Sequence, residues 1–218
     1  MTRGAAVRQS RRASDDLVEQ LRGMILTMEL PPGGVYAEEA LSELLGCSRT
    51  PLREAVQRLS YEHLVVSVPR RGVAVAELSM LDLGHLLEAI GELESIIAGL
   101  AAQRITDDQL LRLEESLAAS EVAEQAKDFV LLAQLDFNLH QILAEATGNP
   151  YLQESSDILF RLEQRFVVLG FRRAGTARGA IEDHTAILAA LRRRDPGETR
   201  RAIDEHWHHG RERMRAAF

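Results

Sequence analysis

The sequence predicts a mainly helical chain in two parts, an N-terminal winged helix-turn-helix and a C-terminal antiparallel all-helical bundle. Three observations carry that prediction. Before residue 78, short amphipathic runs are broken by Pro31-Pro32-Gly33-Gly34, by Gly46 and by Pro69-Arg70-Arg71-Gly72, with valine-rich β-prone runs on either side of the last break. From Leu78 onward no strong β run occurs, and leucine, alanine, glutamate and arginine dominate. Charge divides at the same place. Residues 1–78 hold ten Arg, no Lys and ten acidic side chains, whereas residues 79–218 hold sixteen basic and twenty-three acidic ones and supply the whole formal charge of -7.

The elements of the first part follow in order. Residues 1–13 carry Arg3, Arg8, Arg11 and Arg12 and read as a flexible basic tail. Ser14 is placed to cap a helix whose first turn holds Asp15 and Asp16 and whose apolar face is Leu17, Leu21, Met24, Ile25 and Met28. The paired prolines remove backbone donors and stop it. A second helix spans about Glu38 to Leu45, burying Leu41, Leu44 and Leu45, with Gly46 as C-cap. Ser48 or Thr50 can cap the third, and Pro51 is tolerated in its first turn. Leu52, Ala55, Val56 and Leu59 form its buried side, leaving Arg49, Arg53 and Gln57 at successive i, i+4 positions on another face. Two β-prone runs, 64–68 and 73–75, flank the arginine-bearing tip and make a wing.

That arrangement points to double-stranded DNA. The second helix of a helix-turn-helix enters the major groove by its leading end, where Arg49, Thr50 and Arg53 lie. Arginine forks onto guanine O6 and N7, and suits a phosphate equally. Arg70 and Arg71 at the wing can brace a backbone phosphate or the minor groove. The overall acidity does not oppose this, because fields fall off within about 10 Å at ordinary salt and residues 46–72 carry a local net charge of +3.

Composition narrows the remaining classes. At 218 residues the chain needs no metal or disulfide merely to fold. An aromatic content of 5% argues against stacking platforms for single strands. The one cysteine, Cys47, fits a reducing, cytoplasmic setting and reads as packed in its turn rather than reactive. No apolar run approaches the roughly 20 residues that cross a bilayer, and the N-terminus does not read as a secretory signal.

The second part, 79–218, divides into helices at about 79–103, 107–119, 123–147, 151–170, 178–194 and 197–215. Thr106 caps one, Gly148-Asn149-Pro150 separates two, Gly175 and Gly179 loosen the 171–180 stretch, and Asp195-Pro196-Gly197 marks a late turn. Polar residues on apolar helices are the candidates for function. Asp136 and His140 project from one side of a helix rich in leucine; His184 precedes Ile187, Leu188 and Leu191; His206 sits beside Trp207. Imidazole and carboxylate converging inside a bundle can hold zinc or a similar ion. The same residues could equally be core histidines with hydrogen-bond partners, and Asp136–His140 a plain i, i+4 pair. His208 and His209 point elsewhere and read as surface residues.

The run Leu30-Pro31-Pro32-Gly33, the segment Gly46-Cys47-Ser48-Arg49-Thr50-Pro51-Leu52-Arg53-Glu54-Ala55, Leu64-Val65 and Arg70-Arg71-Gly72 resemble the winged-helix domain of the GntR family of bacterial transcription regulators. Asp136-x-x-x-His140, Asn149-Pro150, Glu182-x-His184-x-x-Ile187 and His206 resemble the FCD effector-binding domain of its fatty-acid-regulator branch. The resemblance implies a homodimer on a partly palindromic operator, whose bundle binds a small organic acid and alters the spacing or mobility of the reading heads. It implies metal ligands at Asp136, His140, His184 and His206, for a divalent ion such as zinc or nickel. It also implies DNA contacts at Arg49 and Arg53, with Gly72 as the wing glycine.

This sequence departs from the family pattern at Glu39, where an operator-contacting arginine is usual, and at Ile90, where an arginine often clamps the ligand. Leu139 replaces a usual Phe, and His63 a usual Gly. A carboxylate at Glu39 cannot hold a phosphate, so the operator differs or Glu39 accepts from a cytosine amino group. The missing fork at Ile90 implies a less acidic ligand or one held chiefly by metal. Two other readings stand beside this one: a metal-dependent, hydrolase-like enzyme, and a DNA-binding regulator whose bundle serves only for dimerisation.

Overall fold

In a computed structural model of the chain, the backbone is described from Arg3 to Phe218 and the side chains from Ser14 onward. The chain divides between Leu78 and Ser79 into two units.

The first unit contains α1 (Arg3–Leu26), β1 (Val35–Tyr36), α2 (Glu38–Leu44), α3 (Arg49–Tyr61), β2 (Val65–Val68) and β3 (Gly72–Val75). The helix-turn-helix and the hairpin lie where the sequence predicts them. The side chains of residues 1–13, the expected basic tail, lie outside the described residues. Since α1 begins at Arg3, Ser14 is buried within that helix and does not cap it. The helix also ends at Leu26, short of the prolines, because Met28 takes a left-handed backbone (φ 67°) and folds the chain back, Leu30 N–H donating to Met24 C=O at 3.0 Å. Val18, Leu21 and Ile25 pack against α3, whose Leu52, Ala55, Val56 and Leu59 are buried.

Two expected core leucines are elsewhere. Leu44 is 60% exposed and Leu45 half-buried, because α2 has only two turns and turns Leu41 alone fully inward. Gly46 follows with φ 62°, the left-handed geometry that ends such a helix. Ser48 occupies the N-cap of α3, although its side chain makes no capping hydrogen bond.

The sheet is three-stranded, in the order β1-β3-β2, with β3 antiparallel to both neighbours. The register pairs Val65 with Val75 and Val68 with Gly72 in the hairpin, and Tyr36 with Val73 at the other edge. The two-residue β1 carries no periodicity and is not legible in the sequence. It explains Gly72 sterically: a Cβ there would stand 2.1 Å from the Tyr36 carbonyl oxygen, on a backbone with φ 109°.

The second unit consists of α4 (Met80–Arg104), α5 (Asp107–Ala126), α6 (Phe129–Ala146), α7 (Pro150–Ala174), α8 (Arg178–Arg193) and α9 (Pro196–Ala217). Its main packings are α4 on α9, α6 on α7 and α5, and α9 on α8. Local chemistry sets the ends. Thr106 and Gln109 form a reciprocal capping box, Asn149 and Asp195 cap α7 and α9, and Gly175 closes α7 with φ 69°. The α5–α6 break falls later than the sequence suggests. Lys127 adopts a left-handed backbone (φ 57°) and the Asp128 carboxylate accepts from Leu131 N–H, so residues 120–126 belong to α5.

Candidate metal centre and nucleic-acid interface

Amphipathicity aims the residues of α3. With Leu52, Ala55, Val56 and Leu59 inward, Arg49, Thr50, Arg53 and Gln57 are all exposed, the two arginine side chains by 58% and 64%. Each guanidinium meets a carboxylate of α2. Arg49 Nη2 lies 2.7 Å from Glu39 Oε1, and Arg53 Nε donates to Glu38 Oε2 at 2.8 Å. Arg58, one turn on, pairs with Asp15. At the wing, Arg70 takes a left-handed backbone (φ 64°) and Arg71 N–H donates to Val68 C=O at 3.0 Å, which closes the tip. Both wing arginines are exposed, and among the described residues neither has an ion-pair partner.

The bundle buries its candidates. His140 on α6, His184 on α8 and His206 on α9 are 1%, 4% and 5% exposed. Each offers a ligand nitrogen, and these atoms lie within 4.8 Å of one another. The ring centroids of His184 and His206 are 4.8 Å apart, and those of His140 lie 5.6 and 5.3 Å from them. Asp136, one turn before His140, places Oδ1 3.4 Å from His184 Nε2. The buried His140 Nε2, His184 Nε2 and His206 Nδ1 have no hydrogen-bond partner. Orphaned buried nitrogens are rare, since each forgoes its hydration without replacement.

The surroundings set the protonation of the cluster. His140 Nδ1 bonds the Glu94 carboxylate, which fixes the proton on that nitrogen and leaves Nε2 facing the other imidazoles. Glu94 also accepts from Trp207 Nε1 at 2.6 Å, and the His140 ring stacks on Phe160 with centroids 4.6 Å apart. Burial depresses the His140 pKa, yet the adjoining Glu94 carboxylate outweighs it and pushes it up to about 9. His184 is held well below the usual imidazole range, by burial first and then by His206, His140 and Arg213. Burial pushes Asp136 up, with His140 and His206 opposing, and burial together with Asp136 pushes Glu163 up strongly. Three imidazoles and a carboxylate crowded without enough compensating charge behave in this way. The donor set fits a divalent cation, which favours neutral imidazole and ionised carboxylate.

Beside the cluster opens a cavity of about 380 Å³, lined by Asp136, Glu163 and His206 and by apolar residues such as Val167 and Phe171. Arg213 on α9 also lines it and pairs with Asp183 Oδ2 at 2.7 Å. Gly179 makes room for that side chain, as a Cβ there would lie 3.2 Å from Arg213 Nη1. Ile90 is 1% exposed in the core and is not among the cavity residues.

Sequence reasoning missed Glu94, Glu163 and Arg213. For Glu94 the signal was present: it interrupts the α4 stripe Leu83, Leu87, Ile90, Ile97, Ala101 at helical spacing, and a carboxylate on such a stripe is buried with a purpose. His208 and His209 are exposed, as expected, although His209 Nδ1 lies 2.9 Å from Asp183 Oδ1.

Two family models account for most of the chain. The one described as bacterial regulatory proteins, gntR family, matches residues 13–75, and the FCD domain matches residues 85–209. The chain belongs to the GntR family, with an FCD domain. Among its relatives, this GntR regulator is 27% identical to the HTH-type transcriptional repressor RspR of Escherichia coli K12, over 85% of this chain and 82% of that one. It is 31% identical to the Uxu operon regulator of Haemophilus influenzae, over 84% and 77%. A solved structure of E. coli McbR/YncC superposes with a TM-score of 0.81 at 24% identity, covering 95% of this chain and 97% of that one, which supports the fold. The protein is therefore a DNA-binding transcription regulator and not an enzyme. No helix among the described residues is long and apolar enough to cross a membrane.

Proposed function

We propose that this GntR-family regulator is a homodimer that reads operator DNA with α3 and the wing, and that a small organic acid, bound in the bundle beside a divalent metal such as zinc or nickel, controls that reading. The observation that supports it most is the trio of buried imidazoles whose nitrogens lack hydrogen-bond partners, one of which, His206, lines a ligand-sized cavity together with Asp136. Asp136, His140, His184 and His206 would hold the ion. When bound, such an ion supplies a Lewis-acidic site for a carboxylate oxygen.

The remaining roles belong to the protein's own side chains. Glu94 orients His140 through Nδ1 and is itself fixed by Trp207. Arg213 presents a cation to the cavity from α9 and takes the place of the arginine absent at position 90. Val167, Phe171 and Met214 supply an apolar wall for a carbon skeleton. Effector binding shifts operator affinity only by its preference for one arrangement of the reading heads over another, typically about 1–3 kcal/mol or roughly 5–150-fold.

Elemental analysis of protein purified without chelator, followed by titration of organic acids against a gel-shift, tests the proposal. Stoichiometric metal and an acid that moves operator affinity are the expected results. Metal-free protein with unaltered operator binding would leave the bundle as a dimerisation unit only.

A further inference from the structure

The reading end of α3 is electrically unusual for a surface that meets a polyanion. All three exposed arginines of α3, Arg49 and Arg53 at the leading end and Arg58 in the last turn, are matched by carboxylates, at Glu39, Glu38 and Asp15. The first two pairs run in parallel. Consecutive glutamates at the start of α2 face arginines one turn apart at the start of α3, at 2.7 and 2.8 Å. Free charge for a phosphate is therefore found at Arg70 and Arg71 of the wing, while the groove-facing end is compensated.

Such couples are poor phosphate ligands, because the carboxylate repels what the guanidinium attracts. They are good ligands for a base edge that offers both signs. In the major groove a G·C pair presents the O6 and N7 acceptors of guanine next to the N4 amino donor of cytosine. Arginine takes the first and glutamate accepts from the second. A·T pairs offer no edge that satisfies both members as well.

We propose that Glu38 and Glu39 are specificity-determining residues of this DNA surface: each forms with its arginine a donor–acceptor couple that selects G·C pairs under the leading end of α3 and disfavours bare phosphate. This inference rests on the DNA-reading role of α3. A carboxylate at position 39 subtracts phosphate affinity and adds discrimination.

The test is selection of binding sites from a pool of randomised duplexes by the full-length protein, followed by titration of the enriched site and of an unrelated duplex at fixed salt. The variants are Glu39→Gln, Glu38→Gln and the double substitution. Glu43→Gln serves as the charge-matched control: it removes an exposed α2 carboxylate that has no ion-pair partner among the described residues. Wild type should enrich sites with cytosine at defined positions. The double variant should lose that preference and bind the unrelated duplex more tightly, so that the ratio of specific to non-specific affinity falls on the order of tenfold. Glu43→Gln should leave the ratio in place.

An unchanged ratio in the double variant, or an equal fall with Glu43→Gln, overturns the inference while leaving α3 as the reading helix. A wild-type protein that enriches no site overturns both.

Discussion

On α3 the guanidiniums of Arg49 and Arg53 are more than half exposed and each meets a carboxylate. In the bundle the imidazoles of His140, His184 and His206 are buried, and each carries a nitrogen without a hydrogen-bond partner. The two arrangements sit at opposite ends of a scale of cost. Exposed ion pairs contribute about 0–1 kcal/mol, so surface charges can be chosen for a partner with little effect on the fold. A buried unsatisfied polar atom costs about 1–3 kcal/mol, and the bundle holds three of them close together. A surface can wait for its ligand without strain, whereas in the core the ion proposed above would pair nitrogens that otherwise stay unsatisfied. The first unit is thus suited to exchangeable partners and the second to a resident one.

The largest expected effect breaks the buried side. His184→Ala and Asp136→Ala should abolish bound metal in purified protein, measured by elemental analysis. Stoichiometric metal in either variant would remove that residue from the site. Metal retained by wild type should also raise the melting temperature, and a chelator should lower it, because a ligand present at 100 times its Kd stabilises the folded state by about 2.7 kcal/mol. The Arg49→Ala change should do neither.

Operator affinity moves next. Arg49→Ala removes a guanidinium more than half exposed, so the melting temperature should hold while operator binding weakens by about 1–3 kcal/mol, roughly 5–150-fold. Affinity unchanged in a gel-shift at fixed salt would refute its assigned role.

A third case, burial with partners, sharpens the contrast. Glu124 at the end of α5 is buried like the histidines, but its oxygens accept from Thr176 Oγ1 at 2.6 Å, Ala177 N–H at 2.9 Å and Lys127 Nζ at 3.0 Å. Burial pushes its pKa up, yet those hydrogen bonds from Thr176, Ala177 and Lys127 prevail and hold it below the usual carboxylate range. A group lowered in the folded state stabilises the fold above its unfolded pKa and loses that contribution as pH falls through the folded value. Glu124→Gln should therefore cost about 1–3 kcal/mol at neutral pH and flatten the acid limb of the stability profile. An acid limb as steep as that of wild type would show that other carboxyls govern it.

Legibility in the sequence followed the physical range of each signal. Caps and breakers act within a few residues, so Thr106, Asp195 and the Asn149-Pro150 turn could be read directly. Helical spacing placed the outward face of α3 and put Asp136 beside His140. Left-handed non-glycine residues carry no such mark. Met28 and Lys127 therefore displaced two helix ends that propensity put elsewhere. The strand β1 exists because β3 offers it a partner, a tertiary cause with no local trace. In the site, the histidines stood out as polar residues on apolar helices. Glu163 and Arg213 acquire meaning only through Asp136 of α6 and Asp183 of α8, which the fold sets against them.

The smallest effect tests the exposed side at its least constrained point. Arg70 and Arg71 stand at the wing tip, exposed and without ion-pair partners among the described residues, so they are available to phosphate without first breaking an ion pair. Binding to a phosphate carries no sequence information. Replacing Arg71 by Ala should accordingly weaken the enriched site and an unrelated duplex by the same few-fold factor, and reduce the slope of log affinity against log salt by about one for each phosphate that its guanidinium neutralises. Arg49→Ala, by contrast, should weaken the enriched site far more than the unrelated duplex. If Arg71→Ala instead reduced discrimination and left the salt slope alone, the wing would be reading bases, and the split between a compensated reading helix and a bare phosphate-binding tip would have to be redrawn.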